Sequence, residues 1–235
     1  MDARIEIVYE DEALIVCHKY PGIAVQTASL GQADMVSELK KYRMLSGEKN
    51  PYLAVVHRLD QPVEGLLVFA KTEAAAAALS KQADGSAKSA GKTQDAFMTK
   101  EYTAVVCGKM PKAAGELTDH LAKDAKSNTS RVVSEKDKNG KKAHLYYEVI
   151  AESEQTQMLR IRLTTGRHHQ IRVQLSHAGC PIVGDTKYGN DAAKRYAMAQ
   201  GIRNLCLCAS RLEFTHPVTG KRMEYRIAPL FEDKV

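Results

Sequence analysis

The sequence predicts an α+β fold, and three observations carry that prediction. Short apolar runs of strand length recur along the chain, close enough together for antiparallel connections. Amphipathic helical stretches are interspersed among them, with no regular strand–helix alternation of the kind that builds a parallel βαβ sheet. At 235 residues and 44% hydrophobic content, the chain can bury one sizeable core, so a single domain over residues 1–235 is expected.

The apolar runs 5–9 and 13–18, separated by the acidic turn Glu10-Asp11-Glu12, read as a strand pair. Pro21-Gly22 turns the chain into Ile23, Ala24 and Val25. Met35, Val36, Leu39, Tyr42 and Met44 recur at helical spacing ahead of Gly47, predicting a short amphipathic helix. Leu53-Ala54-Val55-Val56 reads as a buried strand that delivers Asp60 to a turn at Pro62 and Gly65, before a second apolar run over 66–70. Thr72 can cap a helix through Glu73 and the alanines 74–78, with the glutamate near the positive end of the helix dipole. Periodicity stops at Asp84, and the small polar residues of 84–98 read as a mobile loop ahead of the strand KEYTAVV (100–106). The polar stretch 123–142, with its turn signal Asn139-Gly140, reads as a long hairpin connection or a loop facing the substrate. Residues 144–150 and 158–164 read as strands. The stretch 169–177 reads as a helix with Ile171, Leu175 and Ala178 inward and Arg172 near one edge, and 191–200 as a further short helix. Runs 205–209, 212–215 and 223–227 close the chain as strands.

The first residues lack the apolar core of a signal peptide, and no run of about 18 apolar residues could span a membrane, so a cytoplasmic protein without membrane partners is expected. Five cysteines, Cys17, Cys107, Cys180, Cys206 and Cys208, sit mostly in apolar runs without a CxxC pair and read as reduced core residues. Net charge is +6, but its distribution says more: between Met158 and Arg226 there are 12 Lys+Arg against 4 Asp+Glu, and the remainder is slightly acidic. A basic C-terminal third suits either polyanion binding or solubility. GxGxxG, P-loop and HExxH motifs are absent, so no nucleotide cofactor is expected. His168 and His169 are adjacent, and neighbouring positions point in different directions, so no metal is expected.

Taken alone, Asp60 reads equally as a turn residue. Its setting, HRLDQPVEGLLVFAKT (57–72), resembles the HRLD signature of the RluA-type RNA pseudouridine synthases. The resemblance continues in order through YEDEALIVCHKYPG (9–22), KEYTAVVCG (100–108), TGRHHQIRVQLSHAGCPIVGDTKYG (165–189) and RLEFTHPVTG (211–220). It implies a bent, mostly antiparallel mixed sheet with flanking helices and a central catalytic cleft. It also implies isomerisation of uridine within ribosomal or transfer RNA, a reaction without oxidation or loss and hence without cofactor. Asp60 would be the nucleophile, Arg172 the cation that keeps it ionised in a dry site, and Tyr102 the aromatic that stacks on uracil and relays a proton. Arg58, Lys100, Arg167, His169, Lys194, Arg195, Lys221 and Arg222 would contact the RNA. Arg58, two residues before Asp60, shares its side if the strand continues, and would fill the gap left by an extruded uridine; a salt bridge to Glu64 is its plain alternative. The chain departs from the family pattern at Val63-Glu64, where Thr-Ser is usual, and at Cys208, where His is common. The family's frequent S4 module has no counterpart ahead of the first motif, so the catalytic domain, as a monomer, would contact RNA itself. Two rivals stand beside this reading: a catalytically silent RNA-binding or ribosome-assembly protein of the same fold, and a carboxylate-dependent glycosidase.

Overall fold

The computed structural model describes residues 1–29, 31–84 and 97–234. Most of the stretch expected to be a loop, 84–98, lies outside the described residues. The fold is α+β, with eleven strands and four helices among the described residues. The chain divides into two compact units: residues 1–100 with 209–227, and residues 101–208 with 228–235.

In the first unit, β1 (Ile5–Glu10) and β2 (Leu14–Lys19) form the expected antiparallel pair. Asp11 shapes the turn between them, its carboxylate accepting the backbone N–H of Ala13 at 2.8 Å and of Leu14 at 2.9 Å. Helix α1 (Met35–Leu45) starts at Asp34, which accepts the N–H of Ser37 while the Ser37 hydroxyl accepts the N–H of Asp34, a reciprocal cap. The expected strand over 53–56 shrinks to β3 (Ala54–Val55), half-buried and paired only with the end of β4 (Glu64–Ala70). The rest of that edge of β4 is occupied by β10 (Leu207–Thr215), which leaves no partner for a longer β3. All of β4 is buried, with β2 antiparallel on its other side. Thr72 caps α2 (Glu73–Ala83) as expected, accepting the N–H of Ala75 at 3.2 Å. Leu14, Val16, Leu66, Val68, Leu79, Leu212 and Phe214 make the core of this unit.

The runs 205–209 and 212–215 are one strand, β10, rather than two. The intervening Arg211 stays in the ladder because it pairs across to β11 (Arg222–Arg226), its Nε donating to Glu224 at 3.2 Å.

The second unit is built on β5 (Thr99–Cys107), β9 (Thr156–Leu163), β8 (Lys141–Glu152), β6 (Ala114–Asp124) and β7 (Thr129–Val133), neighbours in that order with antiparallel pairing. The polar stretch 123–142 is therefore two short turns around a strand. Strand β7 escapes sequence reading because it pairs with β6 alone and carries Ser130 and Arg131 rather than an apolar alternation. Helix α3 (Gln170–His177) is buried from Gln170 through Leu175, so Arg172 is not at an edge; it is 3% exposed. Helix α4 (Asp191–Ala199) is capped by Asn190, and its Lys194 and Arg195 are exposed. All five cysteines are free, four of them buried, and Cys206 and Cys208 are among the buried ones. No described helix is long and apolar enough to cross a membrane, and no described cluster of His, Cys, Asp and Glu could hold a metal ion.

Candidate functional site

Asp60 lies half-buried in the irregular segment between β3 and β4, where its own carbonyl accepts the Val63 N–H at 3.0 Å to close a turn. This turn is pinned from beneath by Lys19, the residue that ends β2. Lys19 is fully buried, and its ammonium donates to the carbonyls of Val63 at 2.6 Å, Gln61 at 2.9 Å and Tyr20 at 3.3 Å. Burial pushes the Lys19 ammonium down to about 7, against the pull of the Asp60 and Glu64 charges, which favour the protonated form. Gln61 adds a second tether, since its carbonyl accepts the Gly22 N–H at 2.9 Å and its amide donates to the Gly22 carbonyl at 3.2 Å. The loop carrying Asp60 is thus fixed by backbone contacts from the preceding PG turn rather than by strand pairing.

Arg58 lies outside β3, in the irregular segment that leads to Asp60, so no strand pairing enforces the alternation that would put the two on one side. Arg58 is exposed, and Glu64, its supposed salt-bridge partner, is instead 1% exposed and bonded at 3.0 Å to His18 Nε2. The departure at Val63-Glu64 therefore carries a buried His–Glu pair. Burial drives the His57 imidazole far below its ordinary value, with the Lys100 charge adding to the effect, so the ring is neutral. The Val68 N–H approaches His57 Nε2 at 3.4 Å, which leaves the ring proton on Nδ1. Lys100 is itself pushed down by burial. Lys221 is exposed, and Arg222, also exposed, donates to Glu213 at 2.7 Å and to the Phe97 carbonyl at 2.9 Å.

In the second unit Tyr102 is 8% exposed on β5, opposite Ile161 of β9. Arg172 is gripped by a residue that the sequence reading did not single out. Its Nε donates to Asp185 Oδ2 at 2.8 Å and its Nη2 to Asp185 Oδ1 at 2.7 Å, a two-pronged, buried pair. Asp185 also accepts the N–H groups of Lys187 at 2.9 Å and Tyr188 at 3.0 Å. Burial alone would raise its carboxyl, but the Arg172 guanidinium and the two backbone donors hold it below the usual range. The Tyr188 ring lies under the guanidinium, with 5.1 Å from Cζ to the ring centroid.

From Tyr188 a chain of contacts runs outward. Its hydroxyl accepts the Ser130 N–H at 2.8 Å and lies 2.6 Å from His169 Nδ1, to which it can donate. His169 starts α3 in the left-handed region, with φ 54°. Such a backbone is uncommon for a residue with a Cβ and is held here by the Tyr188 contact. His169 stacks on His168 with centroids 3.7 Å apart, and His168 Nδ1 meets the Ser130 hydroxyl at 2.9 Å. Arg167 is exposed and anchored through Nε to the Lys142 carbonyl at 2.9 Å. His169, expected to contact the RNA, is 8% exposed at the start of α3.

The first unit offers a carboxylate on a tethered turn, and the second, by itself, offers a buried guanidinium in a fixed orientation and a buried phenol. The family model described as RNA pseudouridylate synthase matches residues 13–177. Among curated proteins, this chain is 33% identical to ribosomal large subunit pseudouridine synthase D of Zymomonas mobilis, over 95% of this chain and 69% of that one. It is 34% identical to the Vibrio cholerae protein of the same name, over 100% of this chain and 70% of the relative. It is also 34% identical to ribosomal large subunit pseudouridine synthase C of Buchnera aphidicola, over 95% and 67%. Among solved structures, human RNA pseudouridylate synthase domain containing 4 superposes with a TM-score of 0.75 over 97% of this chain and 90% of that one, at 23% identity, which speaks to the fold.

Proposed function

This chain belongs to the RNA pseudouridylate synthase family, and on that premise we propose that Asp60, Tyr102 and Arg172 carry its reaction on a uridine of large-subunit ribosomal RNA. The activity itself is that of an RNA pseudouridine synthase, an isomerase acting on RNA. The choice of ribosomal over transfer RNA rests on the relatives, which are ribosomal large subunit pseudouridine synthases. The working form is proposed as a cytoplasmic monomer.

In the proposed chemistry the glycosidic bond to the ring nitrogen breaks, the uracil rotates, and the same sugar carbon bonds to a ring carbon, which gives up its proton. Asp60 is the nucleophile, at the sugar or at the ring, and must be ionised when it attacks. Arg172 supplies the positive charge that keeps it so; Asp185 and Tyr188 keep the guanidinium from swinging to other partners. Tyr102 supports the uracil face and takes part in moving the ring-carbon proton. The observation that carries this reading is the tethered turn at Asp60: a carboxylate whose loop is held by Lys19 and Gly22 is a positioned group rather than a surface one.

Asp60→Asn keeps the shape and removes the nucleophile. Turnover on an in vitro transcript of large-subunit ribosomal RNA, followed by tritium release from ring-labelled uridine, is expected to fall below detection. RNA affinity should stay within about 1 kcal/mol of the parent. Substantial isomerisation by this variant sinks the assignment of Asp60. Mapping pseudouridine across total RNA from cells with and without the protein tests the choice of RNA.

A further inference from the structure

Some of this protein's arginines and lysines are paired with carboxylates, while others, among them Lys194, Arg195 and Lys221, are exposed and form no ion pair among the described residues. Arg160 pairs with Glu148 at 2.7 Å, Arg162 with Glu101 at 2.8 Å, Arg226 with Glu224 at 2.5 Å and Lys71 with Glu10 at 2.8 Å. One place gathers four basic side chains around a single concavity. In the second unit a cleft of about 620 Å³ is walled by the ends of β6 and β7, the start of β8 and the loop ahead of α3, and Lys123, Arg131, Lys141 and Arg167 all line it. Among the described residues none of these four forms an ion pair with a carboxylate. The one acid in the wall, Asp124, is occupied in its own turn: its carboxylate accepts the Lys126 N–H at 2.9 Å and the Ser127 hydroxyl at 2.9 Å. Four cations gathered around one concavity repel one another, and an anion set among them relieves that repulsion.

We propose that this cleft is a phosphodiester-binding groove that holds the backbone of the substrate RNA. The inference rests on the reading of the chain as an RNA pseudouridine synthase and adds to the exposed basic residues of the C-terminal third an RNA contact at the β6–β7–β8 end of the second unit. Arg167 is suited to the task because its Nε is anchored on the Lys142 carbonyl, leaving both terminal nitrogens as donors for a phosphate. Ser130 and His168, which share the wall, add hydrogen-bonding groups and join the groove to the Tyr188 and Arg172 contacts already described. A groove built from lysines and arginines without base-reading amides positions RNA rather than selecting its sequence.

The test compares three double variants of the full chain: Lys123→Gln with Arg131→Gln, Lys141→Gln with Arg167→Gln, and Lys136→Gln with Lys138→Gln. The last pair sits in the β7–β8 turn outside the groove and removes the same charge. Affinity for an in vitro transcript of large-subunit ribosomal RNA is measured between 50 and 200 mM salt. Each groove variant should weaken binding about tenfold and flatten the slope of log Kd against log salt by about 1.5, close to two phosphate contacts, with an unchanged melting temperature. The Lys136 and Lys138 variant should match the parent. Unchanged slopes in both groove variants, or an equal loss in the control pair, overturns the groove. So does an equal loss of affinity for polyglutamate, which would mark a general anion patch. Failure of the parent itself to bind or isomerise the RNA would be a failure of the underlying reading, visible before any variant is made.

Discussion

At the scale of single residues, Lys19 leads to a pH dependence. Its pKa in the fold, about 7, lies below the ordinary lysine value, so between those two values the unfolded chain binds more protons than the folded one. The fold therefore bears the full burial penalty below pH 7 and sheds it as pH rises. Compared with Lys19→Met, the parent should gain about 2 kcal/mol of stability between pH 7 and pH 9, read from urea unfolding at the two values. A flat difference would mean that the three carbonyls keep the ammonium charged throughout. The sequence singles out Asp60, Tyr102 and Arg172, the residues proposed for the reaction, because each stands in a run with a familiar order. Lys19 and Asp185 were not legible, for different reasons. A lysine after an apolar run looks like the end of a strand reaching solvent, and only the folded chain shows the carbonyls that surround it. Asp185 follows the apolar run CPIVG, a placement that hints at burial, but its partner Arg172 comes from a helix 13 residues earlier, and nothing in the spacing links the two.

At the scale of elements, the start of β4 tolerates no side chain. Gly65 has φ +141°, and a Cβ there would come within 2.5 Å of both the backbone nitrogen and the Cβ of Ala209 in β10. Gly65→Ala should cost about 3 kcal/mol or more, because a rigid backbone rather than a flexible side chain must give way. Chemical denaturation of the purified variant checks this; a loss under 1 kcal/mol would mean the two strands can part without harm. Helices were read more faithfully than strands. Asp34 and Thr72 announce α1 and α2 by capping chemistry that is local to the sequence. Strand ends depend on what lies alongside: β3 stops where β10 takes over the edge of β4, and β10 runs through Ser210 and Arg211 because β11 pairs with them. The 123–142 stretch looked like one connection because β6 and β7 hold their cations and hydroxyls toward water and the groove, which removes the alternation that marks a half-buried strand.

At the scale of the whole molecule, the resemblance spread over most of the chain made the α+β fold legible, while the division into two units was not, because no linker composition marks residues 100 or 208. That division has the second unit inserted almost whole between two pieces of the first. Leu212 and Phe214, in the core of the first unit, are supplied by the late piece. On a ribosome the first hundred residues emerge early, yet their buried strands β2 and β4 must wait for more than a hundred further residues before the missing wall arrives. The second unit, continuous from 101 to 208 and short only of its last eight residues, meets no such delay. Chains stalled with residue 208 outside the exit tunnel should therefore show amide protection in β6, β8 and β9 and little in β2 and β4. Equal protection of both sets would contradict this order. The part of the sequence that is translated first is, by this account, the part most dependent on a chaperone's shelter, and heat or slow translation should aggregate the nascent protein through its N-terminal strands.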